Sequence, residues 1–181
     1  MKKQSSDTEF ETTILNIDPD QIRTKLRKLG AIEQPEILMK RYVYDLLPNE
    51  KPEYLRLRSD GNKTTLTYKK RNGIDIGSTE EIEVEVSNFD QAAKMLSKIK
   101  SYKIRYQENK RQLFKLGDLE FSIDSWPKIP PYLEIESVSK EKVKQGLKLL
   151  GLEGKDSGDI DTQHIYLSYG INLNSFDTFK F

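Results

Sequence analysis

Charged residues recur along this chain at spacing two, and their types are complementary. One basic row holds Arg56 and Arg58 and continues across a turn into Lys63, Thr65, Thr67 and Lys69; a second holds Lys103, Arg105 and Arg111. The acidic rows are Glu9 and Glu11 (with Thr13 next in register), Glu81, Glu83 and Glu85, then Asp124, then Glu134 and Glu136. Spacing two places each row on one face of a strand. Arg and Lys bind phosphate oxygens, Arg through paired hydrogen bonds. Clustered carboxylates bind hard divalent cations such as Mg²⁺ or Mn²⁺, which bridge to phosphates. Lining a closed barrel, the two sets make a site for a metal-complexed polyphosphate. On a flat sheet the same rows are a solvated face of mixed charge. A single E-x-E or R-x-R is common in a chain this rich in charge, so only the conjunction and order of the rows carry weight.

The elements that must position these rows can be read in turn. Glu9–Leu15 alternates as a first strand. Asp18-Pro19-Asp20-Gln21 starts a helix, with Asp18 as cap and Pro19 in the first turn; Ile22, Leu26 and Leu29 form its apolar stripe and Gly30 ends it. Met39–Leu46 reads as a strand, and Tyr54–Lys70 as a hairpin about Asp60-Gly61. A two-residue turn there sets Arg58 opposite Lys63, Arg56 opposite Thr65 and Leu55 opposite Leu66. Thr79–Val86 alternates strongly. A second helix capped at Ser87 or Asn88 buries Phe89, Leu96 and Ile99. Tyr102–Leu116 is a long strand that Gly117-Asp118 turns into Leu119–Trp126, with Arg111 facing Asp124 and Lys115 facing Glu120. Tyr132–Glu136 is a last strand, Ser139 caps a third helix ended by Gly151, and 160–170 is a short helix. Short connections imply a largely antiparallel sheet with helices covering its apolar side. Strand–helix–strands in 9–70 is loosely echoed in 79–136. Trp126, Phe114 and Phe121 read as packing residues, Tyr68 as packed under a helix, and His164 as a helix-surface residue. The GNKTT stretch at 61–65 lacks the spacing and context of a phosphate loop.

Composition narrows the function classes. The chain has 181 residues, 35% hydrophobic and 33% charged, which suits one domain with an economical core. Lys plus Arg number 30 and Asp plus Glu 29, for a net charge of +1. That balance argues against nucleic acid as a partner. Cysteine is absent and histidine occurs once, which excludes disulfides and thiolate chemistry and argues against a histidine zinc site. The opening MKKQSSDTEFETT lacks an apolar targeting segment, and no run has membrane-spanning length; a soluble, cytoplasmic protein with no membrane partner is expected.

The order of the rows resembles the CYTH superfamily, the triphosphate tunnel metalloenzymes, which includes class IV adenylyl cyclases and thiamine triphosphatases. The resemblance runs from about Glu9 to Glu136. It rests on the opening E-x-E, YLRLR followed by LTYK, the central E-x-E, K-x-R, and the closing FSID and YLEIE. It implies an α+β fold, an eight-stranded antiparallel closed tunnel barrel with helices packed on the outside, as one domain over 1–181 with its core at about 8–169 and an unassigned tail at 170–181. By matching positions, Glu9, Glu11, Glu134 and Glu136 hold the metal, Mg²⁺ or Mn²⁺, with Asp124 beside them; Glu9, Glu11 and Glu136 are the catalytic carboxylates. Arg56, Arg58, Lys69, Lys103 and Arg105, joined by Arg111, grip the triphosphate. Thr13, Glu83 and Glu85 line the tunnel. The implied activity is metal-dependent hydrolysis of a nucleoside, organic or inorganic triphosphate; cyclic AMP formation from ATP and binding without turnover are the alternatives. A homodimer is compatible with the likeness. Thr13 departs from it, standing where the family has a Lys that sits near the phosphates; Lys40, Lys63 and Arg111 are cations that could compensate.

Overall fold

The computed structural model describes residues 10–48, 53–71 and 79–181. In chain order its elements are β1 (Phe10–Ile14), α1 (Pro19–Lys28), β2 (Ile32–Glu33), β3 (Ile37–Asp45), β4 (Glu53–Ser59), β5 (Thr64–Arg71), β6 (Thr79–Glu85) and α2 (Phe89–Leu96). Then follow β7 (Lys103–Leu116), β8 (Leu119–Ser125), β9 (Tyr132–Ser137), α3 (Lys140–Leu150), α4 (Thr162–Ser168), a 3-10 turn (Leu173–Ser175) and β10 (Thr178–Phe179). The main path is eight strands in the order β1-β9-β8-β7-β3-β4-β5-β6, with β2 and β10 pairing to β7 off it. Registered neighbours on the path are antiparallel, as the short connections require. Among the described residues no helix is long and apolar enough to cross a membrane.

The chain divides into two compact units, one of residues 1–35, 112–124 and 130–161, the other of 36–111, 125–129 and 162–181. In the first, α1 begins as its sequence requires. The Asp18 carboxylate accepts from the amides of Asp20 and Gln21 at 3.0 and 3.2 Å, satisfying donors with no intrahelical partner. Its stripe, Ile22 and Leu26, is buried, while Leu29 is a third exposed (36%) and only flanks it. Helix α3 starts on the Ser139 hydroxyl and ends at Gly151 with φ +65°. The two helices bury their stripes against the apolar rows of β1, β8, β9 and the end of β7: Ile14, Phe114, Phe121, Ile123, Leu133 and Ile135 form one core with Ile22, Leu26, Val143, Leu147 and Leu150. The strand β2 was beyond reach of periodicity because two residues have none; its pairing with Phe114 and Lys115 creates it.

In the second unit, Tyr44, Leu57, Phe89, Ala92 and Leu96 form the core under α2, with Tyr42, Leu55 and Leu66 packed beside it. Helix α2 is capped by Asn88, which accepts from the Gln91 amide at 2.9 Å. Its expected third anchor does not bury: Ile99 lies beyond the helix end and is half exposed. The hairpin also differs from expectation. Ser59 pairs with Thr64, Arg58 with Thr65 and Arg56 with Thr67, so the connection has four residues, not two. Asp60 causes the longer loop. Its carboxylate accepts from the amides of Asn62 (2.8 Å) and Lys63 (2.6 Å), and this side-chain turn replaces the tight backbone turn. A shift of two leaves every strand residue on its expected face but moves Lys63 into the loop. Tyr68 is half-buried and donates to Glu53 at 2.9 Å. The tail is ordered by contacts distant in sequence: Thr178 and Phe179 pair in parallel with Tyr106 and Gln107, and the Phe179 ring meets Tyr166 edge-on at 5.1 Å.

Gly146, in the middle of α3, offers a test of the packing in the first unit. A Cβ there would stand 2.8 Å from Ile135 Cγ2 and 3.3 Å from Leu119 Cδ2. Alanine gains ~1 kcal/mol of helix propensity over glycine, but forcing a methyl into a filled interface costs ~1–3 kcal/mol. Because the clash is with the methyl on the branched Cβ of Ile135, close to the backbone, and not with a flexible chain end, Gly146→Ala is expected to lower Tm by ~2–4 °C. Thermal denaturation followed by circular dichroism checks this, and a raised Tm would show that helix and sheet separate freely.

Candidate functional site

The first unit gathers carboxylates on the sheet face opposite its core. Cross-strand register makes the rows explicit. Glu11 is opposite Glu136 and Thr13 opposite Glu134; on the other side of β9, Glu136 is opposite Glu120 and Glu134 opposite Ser122, with Asp124 opposite Tyr132. Opposed residues share a face with Cβ atoms ~5 Å apart. Asp124 is fully buried and Thr13 nearly so; Glu134 and Glu136 are half-buried and Glu11 exposed. Glu120 is engaged by Lys115, as expected from the turn at Gly117-Asp118. The edge of β1 is held by residues 157–158: the Thr13 amide donates to the Gly158 carbonyl at 3.0 Å and the Ser157 amide to the Thr13 carbonyl at 2.8 Å. Glu9, the first expected donor, lies outside the described residues. Among the described residues no group of three or more Asp, Glu, His or Cys side chains stands assembled as a metal cluster. The donor set nevertheless suits a hard divalent cation. It is all oxygen, and a cation offsets the repulsion of glutamates directly opposed across strands.

The second unit gathers cations on the face opposite its core. One row runs Arg105, Val43, Arg56, Thr67, Glu83 across β7, β3, β4, β5 and β6; the next runs Gln107, Arg41, Arg58, Thr65, Glu85; a third runs Lys103, Asp45, Tyr54, Lys69, Glu81. Arg111 shares this face, opposite Ile37. The expected cations of this unit therefore do lie on one face. Several are moderated by acids. Lys69 Nζ is 2.8 Å from Glu81 and Arg105 is 2.5 Å from Asp45; Arg56 is more loosely placed, 3.8 Å from Glu81 and 4.0 Å from Glu83. Burial lifts the Asp45 carboxyl above its ordinary value against the pull of Arg105. Burial also acts to raise Glu83, but the hydrogen bond from Thr67 and the charges of Arg58 and Arg56 outweigh it and hold this carboxyl below the usual range. At Arg58 burial, then the charges of Arg56 and Arg111, pull the pKa down to about 10. Among the described residues the Nε atoms of Arg56 and Arg105 are buried without a hydrogen-bond partner.

Other expected residues are placed differently. Lys63 projects from the hairpin loop, half exposed, 3.7 Å from Glu85. Lys103 serves the tail, donating to the Asn174 carbonyl at 2.7 Å and standing 3.2 Å from Asp177. Lys40 sits on the other face, over the Phe89 ring at 4.5 Å. Arg41 is a residue that sequence reasoning missed. It is buried, bonded to Asn109, and its guanidinium lies 4.7 Å over the Trp126 ring. In MKRYVYD apolar residues fall on both strand faces, so no alternation marked Arg41; parity with Asp45 was the only signal.

An antiparallel α+β domain with an acidic face on one unit and a basic face on the other defines the class. The CYTH domain model matches residues 43–158, more than half of the chain, and the protein belongs to the CYTH domain family. A Methanocaldococcus jannaschii protein, provisionally named an adenylate cyclase, is 26% identical over 136 residues, covering 71% of this chain and 75% of that protein. A solved Vibrio parahaemolyticus structure, also provisionally named an adenylate cyclase, superposes with a TM-score of 0.69 at 15% identity over 91% of this chain and 99% of that one. A Hippeastrum structure, described as a provisional adenylyl cyclase that reveals a dominant triphosphatase activity, superposes at 0.56 and 15% identity over 90% and 95% of the two chains. At these identities the two structural likenesses show the fold.

The depressed Arg58 pKa gives a prediction with a definite sign. A basic group lowered from its ordinary value to about 10 is charged at neutral pH in folded and unfolded chains alike. Its unfavourable placement is therefore felt fully below pH 10 and is relieved only as pH rises through that value. Arg58→Met is expected to raise the Tm of the ligand-free protein by ~2–4 °C. The gain should be constant between pH 6 and 9 by differential scanning fluorimetry. A lowered Tm would mean that Arg58 is paired favourably in the folded state.

Proposed function

We propose that this protein is a divalent-metal-dependent phosphohydrolase acting on a nucleoside, organic or inorganic triphosphate. The observation that carries this reading is that Arg56, Arg58 and Arg111 crowd one sheet face with Arg58 buried among them; burial first, then the neighbouring charges, depress the Arg58 pKa. Such a face is costly on its own and is stabilised by a polyanion. Membership of the CYTH family and the triphosphatase activity described for the Hippeastrum protein support the choice of a triphosphate.

In this reading Arg56, Arg58, Lys69, Arg105 and Arg111 hold non-bridging phosphate oxygens. Lys103 joins them when released from the tail. Glu83 and Glu85 order the cations, with Glu81 beside them. Glu9, Glu11, Glu134 and Glu136 hold Mg²⁺ or Mn²⁺, with Asp124 adjacent. Bound there, the metal supplies positive charge that offsets charge on the phosphate oxygens. A water oxygen attacks the terminal phosphorus, and the bond from that phosphorus to its bridging oxygen breaks. A carboxylate, Glu9 or Glu136, takes the proton of the water. Guanidinium groups stabilise the charge that gathers on the oxygens, and no covalent intermediate is needed. The name of the Methanocaldococcus relative favours a second reading, cyclisation, in which the ribose 3′-hydroxyl attacks the α-phosphorus of ATP and pyrophosphate leaves.

Purified protein given inorganic triphosphate or ATP is expected to release phosphate only with Mg²⁺ or Mn²⁺. Arg56→Ala and Glu136→Ala are each expected to lose at least ~100-fold in rate. Cyclic AMP with pyrophosphate would establish the cyclase instead. Metal-dependent thermal stabilisation by triphosphate without product would establish a binding module, the outcome that Thr13 in place of a Lys motivates. Undiminished release in both variants would refute the site.

A further inference from the structure

Two threonines of β5, Thr65 and Thr67, stand on the basic face of the second unit, and among the described residues only the Thr67 hydroxyl has a hydrogen-bond partner. Thr67 is fully buried and donates to Glu83 Oε2 at 2.8 Å, the residue directly opposite it on β6. Thr65 is equally placed for its own opposite residue, Glu85. That carboxylate turns instead to Lys63 at 3.7 Å, a lysine that the four-residue hairpin loop has carried out of the strand. On its other side Thr65 is opposite Arg58, a guanidinium with donors and no acceptor. The result is a hydroxyl 6% exposed whose Oγ1 has no hydrogen-bond partner among the described residues. A desolvated hydroxyl left unsatisfied costs ~1–3 kcal/mol. Valine, which is β-branched and nearly the same shape, would incur no such cost at this position. The Nε atoms of Arg56 and Arg105, on the same face, are orphaned too. The acceptors of this face are engaged by other groups: Asp45 by Arg105, Glu81 by Lys69, Glu83 by Thr67 and Glu85 by Lys63. What completes it must present several acceptor oxygens close together, as a phosphate does.

We propose that the Thr65 hydroxyl is a substrate-binding group that donates to a non-bridging phosphate oxygen held by Arg58. The proposal rests on the triphosphate reading above and adds to it a neutral donor. Thr65 thereby differs from Thr67, whose hydroxyl is committed to orienting Glu83.

The test is calorimetric titration of inorganic triphosphate, with EDTA present to prevent turnover, into wild type, Thr65→Val, Thr65→Ser and Arg58→Ala. Thr65→Val should bind about tenfold more weakly, the loss expected of one hydrogen bond to a charged acceptor. Thr65→Ser, which keeps the hydroxyl, should stay within about threefold of wild type. Without ligand, Thr65→Val should melt at or above the wild-type temperature, since it removes an unsatisfied group. If Thr65→Val binds as tightly as wild type while Arg58→Ala loses binding, the role of Thr65 is overturned and the triphosphate reading stands. A lowered ligand-free Tm in Thr65→Val would also overturn it, by showing that the hydroxyl serves the folded protein alone. Failure of wild type to bind triphosphate in EDTA, joined to the absence of metal-dependent phosphate release and of metal-dependent thermal stabilisation, would overturn both.

Discussion

Arg56, Arg58 and Arg111 share one sheet face with Arg41, Arg105, Lys69 and Lys103, and the fold of the second unit has to tolerate their mutual repulsion. It does so by distributing acids along the neighbouring strands. Asp45 takes Arg105 and Glu81 takes Lys69. Thr67 orients Glu83 toward the arginines. Partly exposed ion pairs of this kind contribute ~1 kcal/mol or less each, so they moderate the positive potential without abolishing it. The Arg58 pKa of about 10 reflects burial first and the remaining repulsion of Arg56 and Arg111 second. A protein selected for stability alone would place apolar residues here. As a purely structural surface the face is costly.

The apolar half of the same arrangement makes this possible. Period-two strands put Leu55, Leu57 and Leu66 on one side and Arg56, Arg58 and Thr65 on the other. Helix α2 covers the first side with Phe89, Ala92 and Leu96. In the first unit α1 and α3 do the same for β1, β8 and β9, which leaves Glu11, Glu134 and Glu136 together on the opposite face. The helices do no chemistry. Their burial of the apolar rows decides the register, and a slip of one residue in any strand would exchange carboxylate or guanidinium for leucine.

Much of this was legible in the chain. The caps at Asp18 and Ser139, the α2 cap at Asn88 (one of the two candidates, with Ser87), the α3 stripe, Ile22 and Leu26 of the α1 stripe, and the alternation of β4 to β9 are local signals that appear where expected, whereas Leu29 of the α1 stripe is exposed. The row Lys103, Arg105, Arg111 also shares a face as its spacing implies. What was misread depended on partners distant in sequence or on side-chain geometry. Asp60 lengthened the hairpin loop through bonds to two amides. Ile99 satisfied the helical period of α2, but the helix stops at Leu96 and leaves it in solvent. The tail carries no periodicity; its short strand exists because β7 offers Tyr106 and Gln107 as partners, and it claims Lys103 in doing so.

The sequence by itself determined which residues face together. A strand alternates strictly, so a charged row and an apolar row follow from spacing alone, whatever packs above them. It also set the order of the basic and acidic rows, and with it the likeness to the CYTH family. Only the tertiary structure decided which members of each row are committed. The Thr67 hydroxyl has an acceptor and that of Thr65 has none among the described residues; Lys103 is held by Asn174 and Asp177; Lys63 follows the loop to Glu85; Arg41 stacks on Trp126. Those differences arise from register, loop length and rotamer. They are set by the packed surroundings of each side chain, and no local pattern encodes them.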